Sequence, residues 1–216
     1  MTPMKTYGRK LLKQEYESLK DALKKYLRKE TSRDCRLESL SNALRLLYQI
    51  EEYSSNRIVT FNYTELVENI SSNAFAPYNH NLLHVHGSLH VEDDIVFGVE
   101  DDVVLPKEHA FLYKAYSKYK QTQTFAKWLS EAHNIIFYGY SLGDTDKQYF
   151  ASFFKDLCRY NNSNRKIVFY HYGDAAYHDL KWQLLSFTDR QLSALEMYND
   201  VQFLDCSKKG SLPSIR

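Results

Sequence analysis

Glycine, proline and cysteine are all scarce in this 216-residue chain, which has 7 glycines, 4 prolines and 3 cysteines. The cysteines are odd in number, far apart in the sequence and without a C-x-x-C pair; they are Cys35, Cys158 and Cys206. This pattern excludes a disulfide scaffold and a structural zinc ribbon. We therefore expect the protein to reside in a reducing cytoplasm.

Long apolar runs and an excess of one charge are also missing. The longest apolar run, residues 135–138, is strand length and far short of the roughly 18 residues of a membrane span. No apolar stretch follows the N-terminus, so the sequence predicts neither a signal peptide nor membrane attachment. The net charge of +1 excludes a chain-wide electrostatic surface for nucleic acid, which we do not expect as a partner.

The first 33 residues are the exception, because they carry ten Lys and Arg against four Asp and Glu. A charge run of this kind usually marks a solvated helix face. The alternative is a surface that binds an acidic partner.

Helical periodicity and short β-branched runs alternate along the chain. Leucines and tyrosines spaced three and four apart predict two opening helices at residues 9–29 and 34–52. The predicted strands are 57–61, 82–86, 95–97, 134–138, 167–170 and 201–204, and the later helices are 108–132, 145–160 and 175–195. This alternation predicts an α/β fold with a Rossmann-like, mostly parallel sheet flanked by helices, preceded by an N-terminal helical segment. The expected domains are a helical segment at 1–56, the α/β domain at 57–206 and a flexible tail at 207–216.

Three polar clusters follow predicted strands, where ligands bind in open α/β sheets. They are Thr60-Phe61-Asn62-Tyr63-Thr64, His84-Val85-His86-Gly87-Ser88 and Gly139-Tyr140-Ser141-Leu142-Gly143-Asp144. The amide of Asn62 could hold a ligand hydroxyl, a carbonyl or a water, or it could serve only to cap the next helix.

Two histidines in the second cluster share one face of a strand, because side chains two residues apart do so. His84 and His86 are therefore candidates for a general base near neutral pH, for metal ligands, or for ordinary partly buried histidines. A metal would recruit further ligands from His80, His90, Asp93 or Asp94, yet the spacing matches no specific metal motif. Gly87, next to His86, would let a substrate approach closely.

The third cluster joins a strand to a helix but lacks the glycine pattern of either common phosphate-binding motif. Asp144 and Asp146 in the first helical turn would oppose a phosphate there. Ribose hydroxyls, which can donate to Asp144, fit better. Asp144 or Thr145 is also expected to act as the N-cap of the helix at 145–160.

Together and in this order, the three clusters and Ile95-Val96-Phe97-Gly98 resemble the bacteriophage abortive-infection protein family AbiH, over about residues 10–205. That family is related to the sirtuin-like NAD-consuming domains of antiphage defence. The resemblance implies a Rossmann-like sheet that binds NAD. It implies that Asn62 contacts the nicotinamide ribose and that His86 is the general base.

The resemblance also implies the residues that bind the nucleotide. Gly139 and Ser141 would lie against its ribose and phosphates, with Asp144 beside them, and the remaining expected contacts are Thr60, Phe61, Tyr63 and Gly87. His84 is expected to orient His86 or to pack beside it.

The sequence departs from the sirtuin pattern in two places. The stretch after His86-Gly87 contains no four-cysteine zinc module, so we do not expect protein deacetylation or a bound metal. The chain also has no glycine-rich loop before Thr60, and it resembles the family without its first β–α unit.

The predicted function is antiphage abortive-infection defence with a sirtuin-like NAD site that hydrolyses NAD to nicotinamide and ADP-ribose. One alternative is a non-catalytic module that binds a nucleotide or a partner, and another is a metal-dependent hydrolase built on His84 and His86. The expected partners are NAD or a related nucleotide, a phage-encoded trigger and a second copy of the chain.

Overall fold

The computed structural model describes residues 3–31, 46–47, 49–50, 55–65, 67, 81–90, 94–162 and 164–208. The chain divides into two compact units, Met1–Gln121 and Thr122–Arg216. The predicted helix at 34–52 lies outside the described residues except for residues 46, 47, 49 and 50, which are helical. Most of the predicted tail, from residue 209 onward, also lies outside them.

The first unit contains a long helix and a short parallel strand pair. Helix α1 spans Pro3–Thr31, which confirms the predicted opening helix and extends it at both ends. Strands β1 (Ile58–Thr60) and β2 (Leu82–His84) pair in parallel, with Thr60 opposite His84. Parallel pairing brings the carboxyl ends of the two strands to one edge.

The predicted strand at 95–97 is wrong, because these residues do not join a strand ladder. Ile95 and Val96 have no regular secondary structure and are buried, at 2% and 0% exposure. The backbone N–H of Val96 donates to the carbonyl of His86 at 2.6 Å. His86 is a turn residue beyond the end of β2. The apolar pattern that predicted a strand therefore reflects burial against a loop.

The predicted helix at 108–132 is also wrong in its first half. Two 3-10 turns, Lys107–Leu112 and Lys114–Tyr116, precede α2, which spans only Thr122–Glu131. Tyr113 interrupts the helix because its extended backbone forms a parallel bridge with Val99. Its side-chain hydroxyl also donates to the carbonyl of Val103 at 2.7 Å, which fixes the residue in that conformation.

The second unit is a three-stranded parallel sheet with helical connections. Its strands are β3 (Asn134–Tyr138), β4 (Lys166–His171) and β5 (Asp200–Asp205), in the order β3-β4-β5. Helix α3 (Lys147–Leu157) connects β3 to β4, and α4 (Gly173–Phe187) and α5 (Leu192–Tyr198) connect β4 to β5. All three strands were predicted from their β-branched and aromatic residues, within one or two residues of the observed ends.

The core of this second unit is aromatic. The ring of Phe137 stacks on that of Phe169 at 4.7 Å between centroids, and Phe169 stacks on Phe203 at 5.2 Å, so one ring from each strand joins a single row. Phe150 and Phe154 of α3 cover this row and are 2% and 0% exposed. Burial of rings of this size dominates the energetics of a small sheet.

The predicted helix at 175–195 is divided into α4 and α5. Asp189 and Arg190 adopt left-handed backbone conformations, with φ of 49° and 66°, which a continuous right-handed helix does not allow. The side chain of Thr188 is fully buried and its hydroxyl donates to the carbonyl of Leu184 at 2.8 Å. The last turn of α4 is therefore closed by a local hydrogen bond, after which the chain reverses.

These elements confirm the predicted mixed α/β fold with parallel sheets, flanking helices and an N-terminal helix. Within the described ranges, no helix is both long enough and apolar enough to cross a membrane.

Candidate functional site

The loops that follow β1 and β2 leave the sheet side by side. The N–H of Val85 donates to the carbonyl of Thr60 at 3.0 Å, and the N–H of Leu89 donates to the carbonyl of Tyr63 at 2.8 Å. Between these two bonds, Nδ1 of His84 lies 3.0 Å from the carbonyl oxygen of Asn62. Because a carbonyl can only accept, His84 carries its proton on Nδ1 in this contact. His84 thus holds the loop that carries Asn62.

Asn62 combines a fixed main chain with an exposed side chain. Its backbone N–H donates to Oγ1 of Thr60 at 3.1 Å. The residue itself is exposed. Asn62 follows Thr60 by two residues, as His86 follows His84, so the two residues lie equally far along the chain from the paired strand ends.

His86 lies in the interior of the first unit, at 6% exposure. The ring of Phe61 meets its imidazole edge to face at 5.4 Å between centroids, and the ring of Tyr63 lies at 6.5 Å. Tyr63 is held by its hydroxyl, which donates to the carbonyl of Val96 at 3.2 Å. The structure therefore brings Phe61, Tyr63 and His86 together, as residues of both loops.

Gly87 occupies a position that excludes a side chain. Its φ is +73°, and a Cβ atom there would lie 2.0 Å from the carbonyl oxygen of Asp94. The sequence suggested that this glycine admits a substrate. In the structure, the absence of a side chain at Gly87 allows the backbone carbonyl of Asp94 to approach closely. The segment Asp94–Phe97 therefore packs against the loop that carries His86.

The carboxylate of Asp94 is held by two lysines of α1. Nζ of Lys20 lies 2.7 Å from Oδ2, and Nζ of Lys24 lies 3.0 Å from Oδ1. Burial tends to raise the pKa of Asp94, but the hydrogen bonds from the two lysines outweigh it and lower the pKa below its ordinary value. Burial likewise tends to lower the pKa of Lys20, while its hydrogen bonds with Asp94 and Glu17 raise it overall.

These lysines change the interpretation of the basic N-terminal segment. Two of its ten cations bind a carboxylate of the same unit, in addition to the solvated face that the sequence predicted. Sequence reasoning missed this pair. The available signal was the spacing of Lys20 and Lys24, which puts both on one face of a helix.

The metal alternative needs further ligands near His84 and His86. Asp94 is engaged by lysines, and His80 and Asp93 lie outside the described residues. No group of three or more His, Cys, Asp or Glu in the described part of the chain is arranged to hold a metal ion.

The loop after β3, in the second unit, has buried and exposed residues in alternation. Leu142 is fully buried with a φ of 53°, and Tyr140 stacks on Phe137 at 6.3 Å. Between these anchors, Gly139 and Ser141 are exposed. Gly139 has a φ of +61°, and nothing lies within 4 Å of the position that a Cβ would take. The loop therefore presents a hydroxyl and an open stretch of main chain to solvent.

The expected N-cap of the following helix is wrong. Residues Asp144–Asp146 form a 3-10 turn, and α3 begins at Lys147 with Asp146 at the N-cap. The Asp146 side chain makes no capping hydrogen bond and instead accepts a hydrogen bond from the hydroxyl of Tyr140 at 2.6 Å. Burial, followed by this hydrogen bond, raises the pKa of Tyr140. Asp144 is left exposed beside Gly143.

The same edge of the three-stranded sheet carries polar groups that the sequence did not single out. His171 ends β4 and is 9% exposed, with Nδ1 at 3.0 Å from the carbonyl of Gly173. Asp205 ends β5, and its Oδ1 accepts hydrogen bonds from the N–H of Gly173 at 3.0 Å and of Ser207 at 2.9 Å. These bonds hold the pKa of Asp205 far below its ordinary value. Gly173, three residues after the strand predicted at 167–170, was the available signal.

A cavity of about 400 Å³ lies at the opposite edge of this sheet. Its lining includes Asn134, Lys166 and Asp200, which are the first residues of the three strands. It is therefore at the amino ends of the strands, away from the loop with Gly139 and Ser141.

A family model described as bacteriophage abortive infection AbiH matches residues 3–171, which is most of the chain. The chain belongs to the AbiH family. Membership assigns this family member to abortive-infection defence against bacteriophage. No curated protein and no solved structure matches it.

Two of the positive-φ glycines of this AbiH family member, Gly87 and Gly139, provide a matched test of the close approach at Gly87. Substitution of Gly139 by Ala should cost about 1–2 kcal/mol of unfolding free energy, from backbone strain alone. Substitution of Gly87 by Ala should cost more, by roughly a further 1–3 kcal/mol, because the new methyl group meets a backbone carbonyl. Urea unfolding of both variants measures the difference. Equal losses would contradict the close packing of Asp94 on Gly87.

The ion pairs of Asp94 should make stability depend on pH with a defined sign. The carboxyl group has a lower pKa in the folded protein than in the unfolded chain, where the ordinary value is 3.8. Its contribution is therefore present above about pH 4 and is lost as the pH falls through the lowered value. We expect the stability difference between wild type and Asp94→Asn to be constant from pH 6 to 8 and to shrink below pH 4. A difference that is unchanged at pH 3 would contradict the ion pairs.

Proposed function

We propose that this AbiH family member binds NAD and hydrolyses its nicotinamide–ribose bond. The observation that carries the proposal is the junction of the loops after β1 and β2. Three hydrogen bonds tie these loops together, and they carry Asn62 and His86, each two residues beyond the paired strand ends. Polar side chains at the carboxyl ends of adjacent parallel strands are typical of ligand sites in α/β folds.

The roles follow from the chemistry of each side chain. The exposed amide of Asn62 has two donors and an acceptor, which suit a ribose hydroxyl or an attacking water. Imidazole is the side chain that most often serves as a general base, and we assign that role to His86. Its position against Phe61 and Tyr63 limits the orientations that the ring can adopt.

In the proposed reaction, the bond between C1′ of the ribose and the nicotinamide nitrogen breaks, and nicotinamide leaves with the electron pair. Positive charge then develops on the ribose, as in other glycosidic cleavages. Water adds to C1′ and transfers a proton to His86, directly or through a ribose hydroxyl. The products are nicotinamide, ADP-ribose and a proton, so NAD is a substrate.

We propose, for the second unit by itself, that Gly139, Ser141 and Asp144 contact a nucleotide. The open space at Gly139 allows close approach to main-chain atoms, and the exposed hydroxyl of Ser141 can donate or accept. The exposed carboxylate of Asp144 accepts from hydroxyl groups and would repel a phosphate, so a ribose is its preferred contact. Thr60, Phe61, Tyr63 and Gly87 belong to the NAD site through the loops that they form.

Abortive infection requires that the activity stay low until a phage is present. We propose a cytoplasmic protein that a phage-encoded component activates, with self-association as a further level of control. Depletion of NAD would then stop the metabolism of the infected cell.

The proposal predicts that the purified chain releases nicotinamide from NAD, and that Asn62→Ala and His86→Ala each abolish the release. General-base removal typically costs 10²–10⁴-fold in rate. The release is measured by chromatography of nicotinamide and ADP-ribose, which should appear in equal amounts. Each reaction is run with and without lysate of phage-infected cells as a source of the trigger.

His90→Ala is the matched control, because His90 is an exposed histidine four residues after His86. It should retain wild-type release. No release by the wild-type chain under either condition, or equal loss in the His90 and His86 variants, would overturn the proposal. Binding of NAD without release would favour the non-catalytic alternative.

A further inference from the structure

Helix α1 binds the segment Asp94–Phe97 at both of its ends. At one end, Lys20 and Lys24 hold the carboxylate of Asp94. At the other end, the hydroxyl of Tyr16 donates to the carbonyl of Phe97 at 2.6 Å, and the two rings stack at 5.9 Å. Tyr16, Lys20 and Lys24 are spaced by four residues, so all three lie on one face of α1.

The segment Asp94–Phe97 is in direct contact with His86, the residue proposed as the general base. The N–H of Val96 donates to the carbonyl of His86 at 2.6 Å, and the carbonyl of Asp94 fills the space beside Gly87. The carbonyl of Val96 also accepts the hydroxyl of Tyr63, whose ring flanks His86. A displacement of the segment would therefore move the backbone of His86 and one of its aromatic neighbours together.

A further bond from α1 reaches the same loop. Nη2 of Arg28 donates to the carbonyl of Leu89 at 3.0 Å. Leu89 is also joined to Tyr63 through its N–H. The helix thus contacts the chain at two points after His86, at Leu89 and at Asp94.

The strand pair alone gives His86 little support. β1 and β2 have three residues each, and an isolated pair of that length is marginal in water. His86 lies two residues beyond the end of β2, where the ladder no longer constrains the backbone. One contact that constrains the backbone there is the bond from Val96 of the Asp94–Phe97 segment to the carbonyl of His86.

We propose that Asp94 is a positioning residue for His86, and that its bonds to Lys20 and Lys24 transmit the position of α1 to the imidazole. The inference rests on the proposed function, in which His86 accepts the proton. A base must lie within hydrogen-bond reach of the group that it deprotonates. A misplacement of about 1 Å can reduce the rate by about 10²-fold.

The test uses variants from both sides of the contact. Asp94→Asn keeps the shape of the side chain and its acceptor for the N–H of Ile95, but removes the charge. The double variant Lys20→Met, Lys24→Met removes the cations and leaves the segment 94–97 unaltered. Glu17→Gln is the matched control, since Glu17 also pairs with Lys20, at 2.9 Å, and lies on α1 itself.

We expect kcat for nicotinamide release to fall by about tenfold to hundredfold in Asp94→Asn and in the lysine double variant, while KM for NAD changes by less than about twofold. The triple variant should be no slower than either parent, because residues that act through one contact are not additive. Lys24→Met alone, which leaves the Lys20 bond in place, should give a smaller loss of the same kind. Glu17→Gln should match wild type.

Retention of wild-type kcat in the lysine double variant would overturn the inference, as would a change confined to KM. A merely structural role predicts a lower unfolding free energy with unaltered kcat at a temperature where the variant is folded. Circular dichroism at the assay temperature establishes that each variant is folded. If Asp94→Asn does not fold, the lysine double variant and Lys24→Met alone still test the positioning role.

A second readout separates this inference from the proposed function. The ring proton resonances of His86 in the free protein, assigned by comparison with His86→Asn, report the position of the imidazole without any substrate. We expect them to shift in Asp94→Asn and in the lysine double variant, and to stay unchanged in Glu17→Gln. Unshifted resonances would overturn the positioning role. If the variants show the shift but the wild-type chain releases no nicotinamide, the positioning role is supported and only the proposed hydrolysis is overturned.

Discussion

The arrangement of the first unit depends on the contact between α1 and Asp94. A parallel pair of three-residue strands fixes where the loops of Asn62 and His86 start, but it is too short to fix where they go. The segment Asp94–Phe97 supplies a further constraint, and it is itself held by the face of α1 that carries Tyr16, Lys20 and Lys24. The charge of α1 is typical of a solvated helix, yet α1 is part of what supports the candidate site.

Much of the second unit could be predicted from the sequence because its determinants are local. Strands β3, β4 and β5 coincide with runs of β-branched and aromatic residues, and all three were predicted. The exposed Gly139 and Ser141 follow β3, as the pattern of a strand, a glycine and a polar residue indicates. In the first unit, the predicted strands at 57–61 and 82–86 contain the observed β1 and β2. Strand β1 is one residue shorter at each end, and β2 starts as predicted and ends two residues earlier.

The failures in the first unit share one physical cause, which is contact between residues distant in sequence. The helix predicted at 108–132 is interrupted because Tyr113 bridges to Val99, and the strand predicted at 95–97 pairs with a loop instead of a ladder. The bonds from Lys20 and Lys24 to Asp94 span 74 and 70 residues, and the spacing of the two lysines on one helix face does not indicate which residue they bind. The candidate site residues could be proposed from motifs and from the family resemblance, but not the contacts that support them.

Membership of the AbiH family gives the role of the protein, and the chemistry proposed here would connect that role to NAD. The most direct measurement is the NAD content of bacteria that carry the wild-type gene, before and after infection with a phage that the gene restricts. The proposed function predicts a fall in NAD with an equal rise in nicotinamide before lysis, and no fall in cells that carry Asn62→Ala at the same protein level. Restriction of the phage with an unchanged NAD pool would contradict it.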